Sequence, residues 1–427
     1  MKYPTLAIAI LLTFLMLAAG CMNTAPPQTT GPGSGVSSPV VIDALVTLTG
    51  PYSSQGAIAK AALLTAEEDI NRYSAAIGSE RRVSVVFHDT ASDPATALTQ
   101  AKEVQKSGRR IILGHMTSAE IAAIKTFVDA NGMLVLDAGS TSPSLAFPDD
   151  SIYRLISDDS AQGRAMAMWL EEQQIQAIVP LWRGDVWGDN LLNATRSAFL
   201  ERGGVAIDGI RFGPDTTDFS FHVASLDLLA GDAIQAHGAD HVGIYLIGFE
   251  ESVPILEEIS VKENLTRVRW FGCDGNAGIP SLAGVSPAAS AAARVNLTSV
   301  VWGIAHGDPS SEPQTRIRER LGYSPSSGPI ALYDALWVVH DLLNEIPSNA
   351  DQTRLKLALE RHLNTYQGET RSLATNEGGD RALASYDVFQ VMERDGIPQW
   401  KYIAHIIIWE DRSEHIGTDT CPYFRQE

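Results

Sequence analysis

At 427 residues and a net charge of −19, the chain lacks the basic face that nucleic-acid phosphates demand. Its 44% apolar and 19% charged content excludes a disordered chain, and its length allows about two or three ordinary domains. Three cysteines are too few for a disulfide scaffold or a zinc cluster; one bridge, between Cys273 and Cys421, is all that could form once Cys21 is set apart.

At the N-terminus, Lys2 precedes the apolar run LAIAILLTFLMLAA at 6–19. That run is short of the ~20 residues that cross a bilayer and suits a signal-peptide core. Ala18, Ala19 and Gly20 stand directly before Cys21, a pattern that resembles a lipoprotein signal, with Ala18 where Leu is usual. Residues 1–21 are then a signal peptide with Cys21 as the lipidated residue. An uncleaved anchor is the alternative, and either reading puts the globular part outside the membrane. Residues 22–39 are rich in Pro, Gly, Ser and Thr and read as a flexible tether. A single acyl chain binds membranes weakly, so more than one is expected on Cys21.

From residue 40 strands and helices alternate. VVIDALVTL (40–48), VSVVFH (83–88), RIILG (110–114) and MLVLDAG (133–139) read as strands, and 57–72, 95–107 and 119–131 as helices. Asp93 before Pro94 is a helix-start signature. Glu67, Glu68 and Asp69 read as the solvated face of the first helix. A second block repeats the pattern, with strands at 177–182, 205–212, 241–248 and 267–272, and helices at 188–204 and near 218–238. The tail adds a strand at 299–304, helices at 329–346 and 351–363, and strands at 386–392 and 401–409. The fold class is α/β: two βαβ blocks, each a doubly wound parallel sheet, exceed one comfortable sheet and predict two lobes.

Ligands of open α/β sheets bind beyond the carboxyl ends of the strands. Those ends carry TLTGPYSSQG with Gln55, GHMTS with Ser118 at a helix start, and DAGSTSPSL with Gly139 and Thr141. Hydroxyls and helix N–H groups at two such corners suit a carboxylate. In the second block Asp274 lies in a Gly-rich loop and can accept from an ammonium group, while Trp187 and Phe249 are rings at two further strand ends. Each feature also has an ordinary structural reading as a turn, cap or packing ring; their shared placement at strand ends is the stronger signal. His88, Asp89 and His115 raise an enzymatic reading, but no activated nucleophile, metal-ligand set or phosphate loop accompanies them. No enzyme activity, cofactor or metal is expected.

TLTGPYSSQG, GHMTS, DAGSTSPSL, YRLISDDSAQGRAMA, LWRGDVWGDN and WFGCDGNAG, in this order and spacing, resemble the Leu/Ile/Val-binding proteins, type I periplasmic-binding folds that serve ABC importers. The resemblance covers roughly residues 40–395; segment 396–427 has no clear counterpart. It implies lobes of 40–157 plus 306–386 and 158–305 plus 387–427, joined by three crossings near 156–159, 304–307 and 385–388. It also implies that Ser118 and Thr141 hold an α-carboxylate, that the Gly139 carbonyl and Asp274 hold the ammonium, and that Trp187 and Phe249 close over the ligand. Two departures stand out: Asp274 where Glu is frequent, and Gln55 where many members carry an aromatic. The partners implied are a neutral amino acid and separate ABC permease and ATPase chains. An extracytoplasmic sensor of the same fold is the alternative; neighbouring permease genes would mark import, and a lone histidine-kinase gene sensing.

Overall fold

The computed structural model describes residues 39–304, 311–347, 349–409 and 414–417; Cys21, the apolar run before it and Cys421 lie outside these. The first block comprises β1 (Val40–Val46), α1 (Ser53–Ala76), β2 (Val83–Asp89), α2 (Pro94–Lys106), β3 (Ile111–His115), α3 (Ser118–Ala130), β4 (Leu134–Asp137) and β5 (Ile152–Arg154). Its strands pair in parallel in the order β2-β1-β3-β4-β5. Both faces of this sheet are buried, as the unbroken aliphatic runs of β1, β3 and β4 require.

The second block comprises α4 (Asp159–Glu172), β6 (Ala177–Arg183), α5 (Val186–Glu201), β7 (Val205–Ala206), β8 (Ile210–Phe212), α6 (Ser220–His237), β9 (Val242–Ile247), α7 (Ser252–Glu258), β10 (Arg269–Gly272), α8 (Pro287–Arg294) and β11 (Thr298–Trp302). The chain then returns through α9 (Glu312–Leu321), α10 (Ala331–Glu345) and α11 (Gln352–Thr365) to pack against the first sheet. A short ladder, β12 (Gln367–Gly368) with β13 (Arg371–Ser372), precedes β14 (Ala384–Arg394), β15 (Ile397–Ile408) and β16 (Glu414–Gly417). The second sheet runs β16-β15-β14-β11-β10-β9-β6-β7, with β8 also on β6.

The second sheet departs from the expected all-parallel form, because β14, β15 and β16 join it antiparallel. The cause is local. Asp395 and Gly396 both take positive φ, 53° and 77°, the backbone that a two-residue hairpin turn needs. The expected strand over 205–212 is split into β7 and β8. The break lies opposite Pro180, which has no N–H to give to a ladder. The acidic cluster on α1 is not a free solvated face either. Glu68 and Asp69 pair with Arg316, Glu68 also with Arg320, and Glu67 accepts from the Val85 amide at 3.0 Å, so these acids tie α9 and β2 to α1.

Three chain passages link the two sheets: Leu155–Asp158, the stretch after Trp302, and the stretch before Ala384. The first and third run side by side: the Arg381 amide donates to the Arg154 carbonyl at 2.9 Å, and the Arg154 amide to Gly379 at 2.9 Å. Arg154 and Asp380 form a buried ion pair beside them. Further on, the Tyr386 hydroxyl meets Ser157 Oγ at 2.9 Å and the Gly303 amide donates to Ser385 O at 2.9 Å. This arrangement sets the carboxyl ends of both sheets against each other.

Candidate functional site

Two corners of the first lobe form one wall of the cleft. Gly139 packs so closely on Met116 that a Cβ there would lie 2.6 Å from its carbonyl oxygen, which brings the β3–α3 and β4–β5 corners together. Asp137, at the end of β4, binds them: its buried carboxylate accepts from the amides of Met116, Gly139 and Ser140 at 3.0, 2.9 and 2.7 Å. Burial raises its pKa to about 6 against those three amides. Helix α3 is capped by Thr117, in a reciprocal capping box with Glu120, and Ser118 is the first helical residue. Ser118 is therefore relieved of capping. Its Oγ accepts from the Thr141 and Ser142 amides at 3.3 and 3.2 Å and from Ser140 Oγ at 3.1 Å. Thr141 Oγ1 is buried and, among the described residues, has no partner in good hydrogen-bond geometry.

The second lobe supplies the opposite wall. Asn276 anchors the loop after β10, accepting from the Cys273 amide at 3.0 Å and from Ser299 Oγ at 2.8 Å while donating to Leu246 O at 3.0 Å. This fixes Asp274, which accepts from Gln162 Nε2 of α4 at 2.8 Å. Burial raises its pKa to about 6. Asp159, at the first turn of α4, is fully buried, and among the described residues neither of its carboxylate oxygens has a hydrogen-bond partner in good geometry. Burial, then the negative charge of Asp274, pushes its pKa well above the usual carboxylate range, with the Thr141 hydroxyl the nearest relief. The Asp159 amide donates to Thr141 O at 2.9 Å, so the second-lobe acid abuts the first-lobe hydroxyl.

Aromatic rings cross from one lobe to the other. Tyr52 stacks on His115 at 5.0 Å within the first lobe and meets Phe249 of the second at 4.4 Å. Phe249 stacks on Trp187 at 4.4 Å and 15°. Trp187 is aimed by its cap: Asp185 accepts from the Trp187 and Gly188 amides at 3.1 and 2.9 Å. Arg183 lies over Phe249 at 5.1 Å and pairs with Glu251, whose carboxylate also accepts from the Phe249 amide at 2.8 Å. A Cβ on Gly275 would fall 2.5 Å from the Trp187 ring, which sets the Asp274 loop against the stack.

The lobes are latched as they stand. The Glu250 amide donates to Pro51 O at 3.0 Å, and Ser54 Oγ binds the Glu250 carboxylate. Ser142 Oγ donates to Val186 O at 3.2 Å. Gln55 Nε2 donates to Ala277 O at 3.0 Å while its Oε1 accepts from Ser326 Oγ at 2.8 Å. The structure thus brings Ser118, Gly139 and Thr141 to one wall, and Trp187, Phe249 and Asp274 to the other. Gln55 becomes a lobe-to-lobe tie with both ends of its amide engaged.

Three residues of this cleft were not singled out from the sequence. Tyr52, the N-cap residue of α1, carries the ring that the first lobe lacks at Gln55 three positions later. Asp159 is the second acid, and Asp137 is the organiser of the first wall. Of the two histidines weighed for acid–base work, His88 pairs with Asp43 at 2.8 Å beside α2. His115 is buried, and burial drops its pKa to about 3, so it is a neutral packing ring.

Two α/β lobes joined by three passages, with polar corners facing across latched strand ends, are the architecture of a two-lobed solute-binding protein. A periplasmic binding protein family model matches residues 39–394, and the chain belongs to that family, which places it among extracytoplasmic solute-binding proteins. It is 28% identical to an uncharacterised protein of Methanocaldococcus jannaschii over 96% of this chain and 98% of that one. The crystal structure of a leucine-binding protein from Thermotoga maritima superposes with a TM-score of 0.68 at 21% identity, covering 87% of this chain and 99% of that one. A Rhodopseudomonas palustris solute-binding protein, solved with 3,4-dihydroxybenzoic acid, superposes with a TM-score of 0.67 at 14% identity, covering 87% and 98%.

Proposed function

We propose that the chain captures a neutral amino acid, or a close amino-acid analogue, between its lobes and delivers it to an ABC importer. In this reading, cleavage before Cys21 and lipidation of that residue tether the protein to the outer face of the cell membrane through the linker 22–39. The observation that carries the ligand class is polarity across the cleft. Hydroxyls of Ser118 and Thr141 stand on one side, and the buried carboxyls of Asp159 and Asp274 stand on the other, with Gln162 and the nearby Thr141 hydroxyl as their side-chain donors.

A carboxylate group of the ligand docks at the start of α3, where the helix dipole and the Ser118 and Thr141 hydroxyls favour an anion. Its ammonium then supplies the hydrogen-bond donors that Asp159 and Asp274 lack. Closure gains contacts that the open form cannot make: the charge-assisted bonds to the second lobe and burial under Trp187 and Phe249. The passages Leu155–Asp158, after Trp302 and before Ala384 act as the hinge.

An aromatic acid, the ligand of the Rhodopseudomonas protein, brings the anion and a ring for the stack but no cation. It would leave both buried acids uncompensated, at a cost of several kcal/mol unless they keep their protons. Calorimetric titration against a panel of neutral amino acids and hydroxybenzoates separates the two. The account expects at least one amino acid to bind in the micromolar range, roughly −8 kcal/mol, and no hydroxybenzoate to match it. A hydroxybenzoate that outranks every amino acid contradicts it.

A further inference from the structure

Four rings cross the cleft in one continuous stack. His115, Tyr52, Phe249 and Trp187 follow one another at centroid distances of 5.0, 4.4 and 4.4 Å, and all four are buried. A carbon atom packed between two rings needs about 3.5–4 Å on each side, so roughly 7 Å between the rings. Tyr52 and Phe249, the pair that spans the lobes, stand too close at 4.4 Å for any ligand side chain to lie between them.

This spacing is tied to the closed form itself. The Glu250 amide donates to Pro51 O at 3.0 Å, so a lobe-to-lobe bond lies one residue from each ring. The backbone of Tyr52 is held on its own side, its amide donating to Ser92 Oγ at 3.2 Å and its carbonyl accepting from Thr47 Oγ1 at 3.3 Å. Phe249 is held by Glu251 through its amide and by Arg183 over its ring. Parting the two rings to admit a branched side chain therefore pulls on the Pro51–Glu250 bond and on the latched interface with it.

Other directions out of the polar centre are closed as well. A Cβ on Gly275 would fall 2.5 Å from the Trp187 ring and 2.9 Å from Phe249, so both rings lie directly on the loop that carries Asp274. Gln55 spans the lobes on a further side, bonded to Ala277 and Ser326. Forcing extra methylenes into a space packed this closely displaces side chains and backbone, at a cost that a ligand has to meet from its own binding.

We propose that Tyr52 is a specificity-determining residue, whose ring against Phe249 limits the cleft to amino acids with side chains of glycine, alanine or serine size and excludes those of leucine size. The inference rests on the amino-acid reading of the cleft and narrows it. It separates this chain from the Leu/Ile/Val-binding proteins it resembles, and the source is local: the ring stands at position 52, with Gln55 where many members carry an aromatic.

Calorimetric titration of the full chain with glycine, alanine and leucine at pH 7 tests it. In the wild type, alanine or glycine should bind at least ~100-fold more tightly than leucine, because a single methylene in a filled pocket is worth about 10–200-fold. Tyr52→Ala should cut that ratio at least ~10-fold, and Tyr52→Phe, which keeps the ring, should retain it. Leucine binding as tightly as alanine in the wild type would overturn the proposal, whether or not the variants fold. A ratio unmoved in a folded Tyr52→Ala would overturn the role of Tyr52. Failure of the amino-acid reading looks different: none of the three amino acids would bind, and the proposal would fall with it.

Discussion

The two walls of the cleft are built on opposite principles. In the first lobe nearly every polar group at the corners is already used: Asp137 takes three amides, Ser118 takes two more, and Thr117 with Glu120 caps the helix. In the second lobe Asp159 has, among the described residues, only the Thr141 hydroxyl near its carboxyl, and Asp274 has one side-chain donor, Gln162. The first wall is largely satisfied within the fold; the second holds two buried carboxyls short of donors, which a proton or a donor group can relieve. The difference explains the order of events proposed for capture, docking first on the satisfied wall and closure second onto the unsatisfied one.

The largest effect that would break this contrast is loss of the acid. Asp274→Asn should weaken amino-acid binding by ~100-fold in calorimetry, because truncating a buried charge pair costs about 2–5 kcal/mol. A change of less than threefold would remove Asp274 from the site. Next comes pH. A ligand ammonium needs the Asp274 carboxylate, and burial raises that group to about 6, so affinity should rise roughly tenfold from pH 5 to pH 7 and then level off. Asp274→Asn should flatten this profile.

The same carboxyl has the opposite sign for the unliganded fold. Its folded pKa, about 6, exceeds the ordinary 3.8, so the stability it contributes is present below that lower value and is lost as pH rises through 6. Thermal melts across pH 4 to 7 should therefore show a gain on ligand addition that grows with pH. A smaller effect is expected at the first wall. Ser118→Ala leaves the helix capped by Thr117 but strips the Thr141 and Ser142 amides of their acceptor, so affinity for a carboxylate ligand should fall about five- to tenfold, with a loss of stability of about 1–3 kcal/mol. A loss of stability with unchanged affinity would make Ser118 a structural residue only.

Much of this was legible in the sequence, and the reasons are local. The aliphatic runs of β1, β3 and β4 and the Asp93–Pro94 helix start are short-range signals, and they give the first sheet almost residue by residue. The strand-end corners follow from the α/β topology. Asp159 was hidden because an acid in the first turn of a helix looks like a favourable dipole partner; its burial against Asp274 depends on the lobe–lobe contact. Tyr52 looked like part of a turn, and only the approach of Phe249 from the other lobe makes it a cleft ring. The antiparallel hairpin could have been read from the Asp395–Gly396 pair, but its place at the edge of the second sheet is set by pairing with β11, far back in the chain.

The most direct test of the central claim is to titrate the wild-type protein with the best-binding neutral amino acid and with the same molecule lacking its amino group, at pH 7. The account predicts that the des-amino acid binds at least ~30-fold more weakly, and that the gap closes in a variant carrying both Asp159→Asn and Asp274→Asn. Equal affinities for the two molecules in the wild type would contradict it.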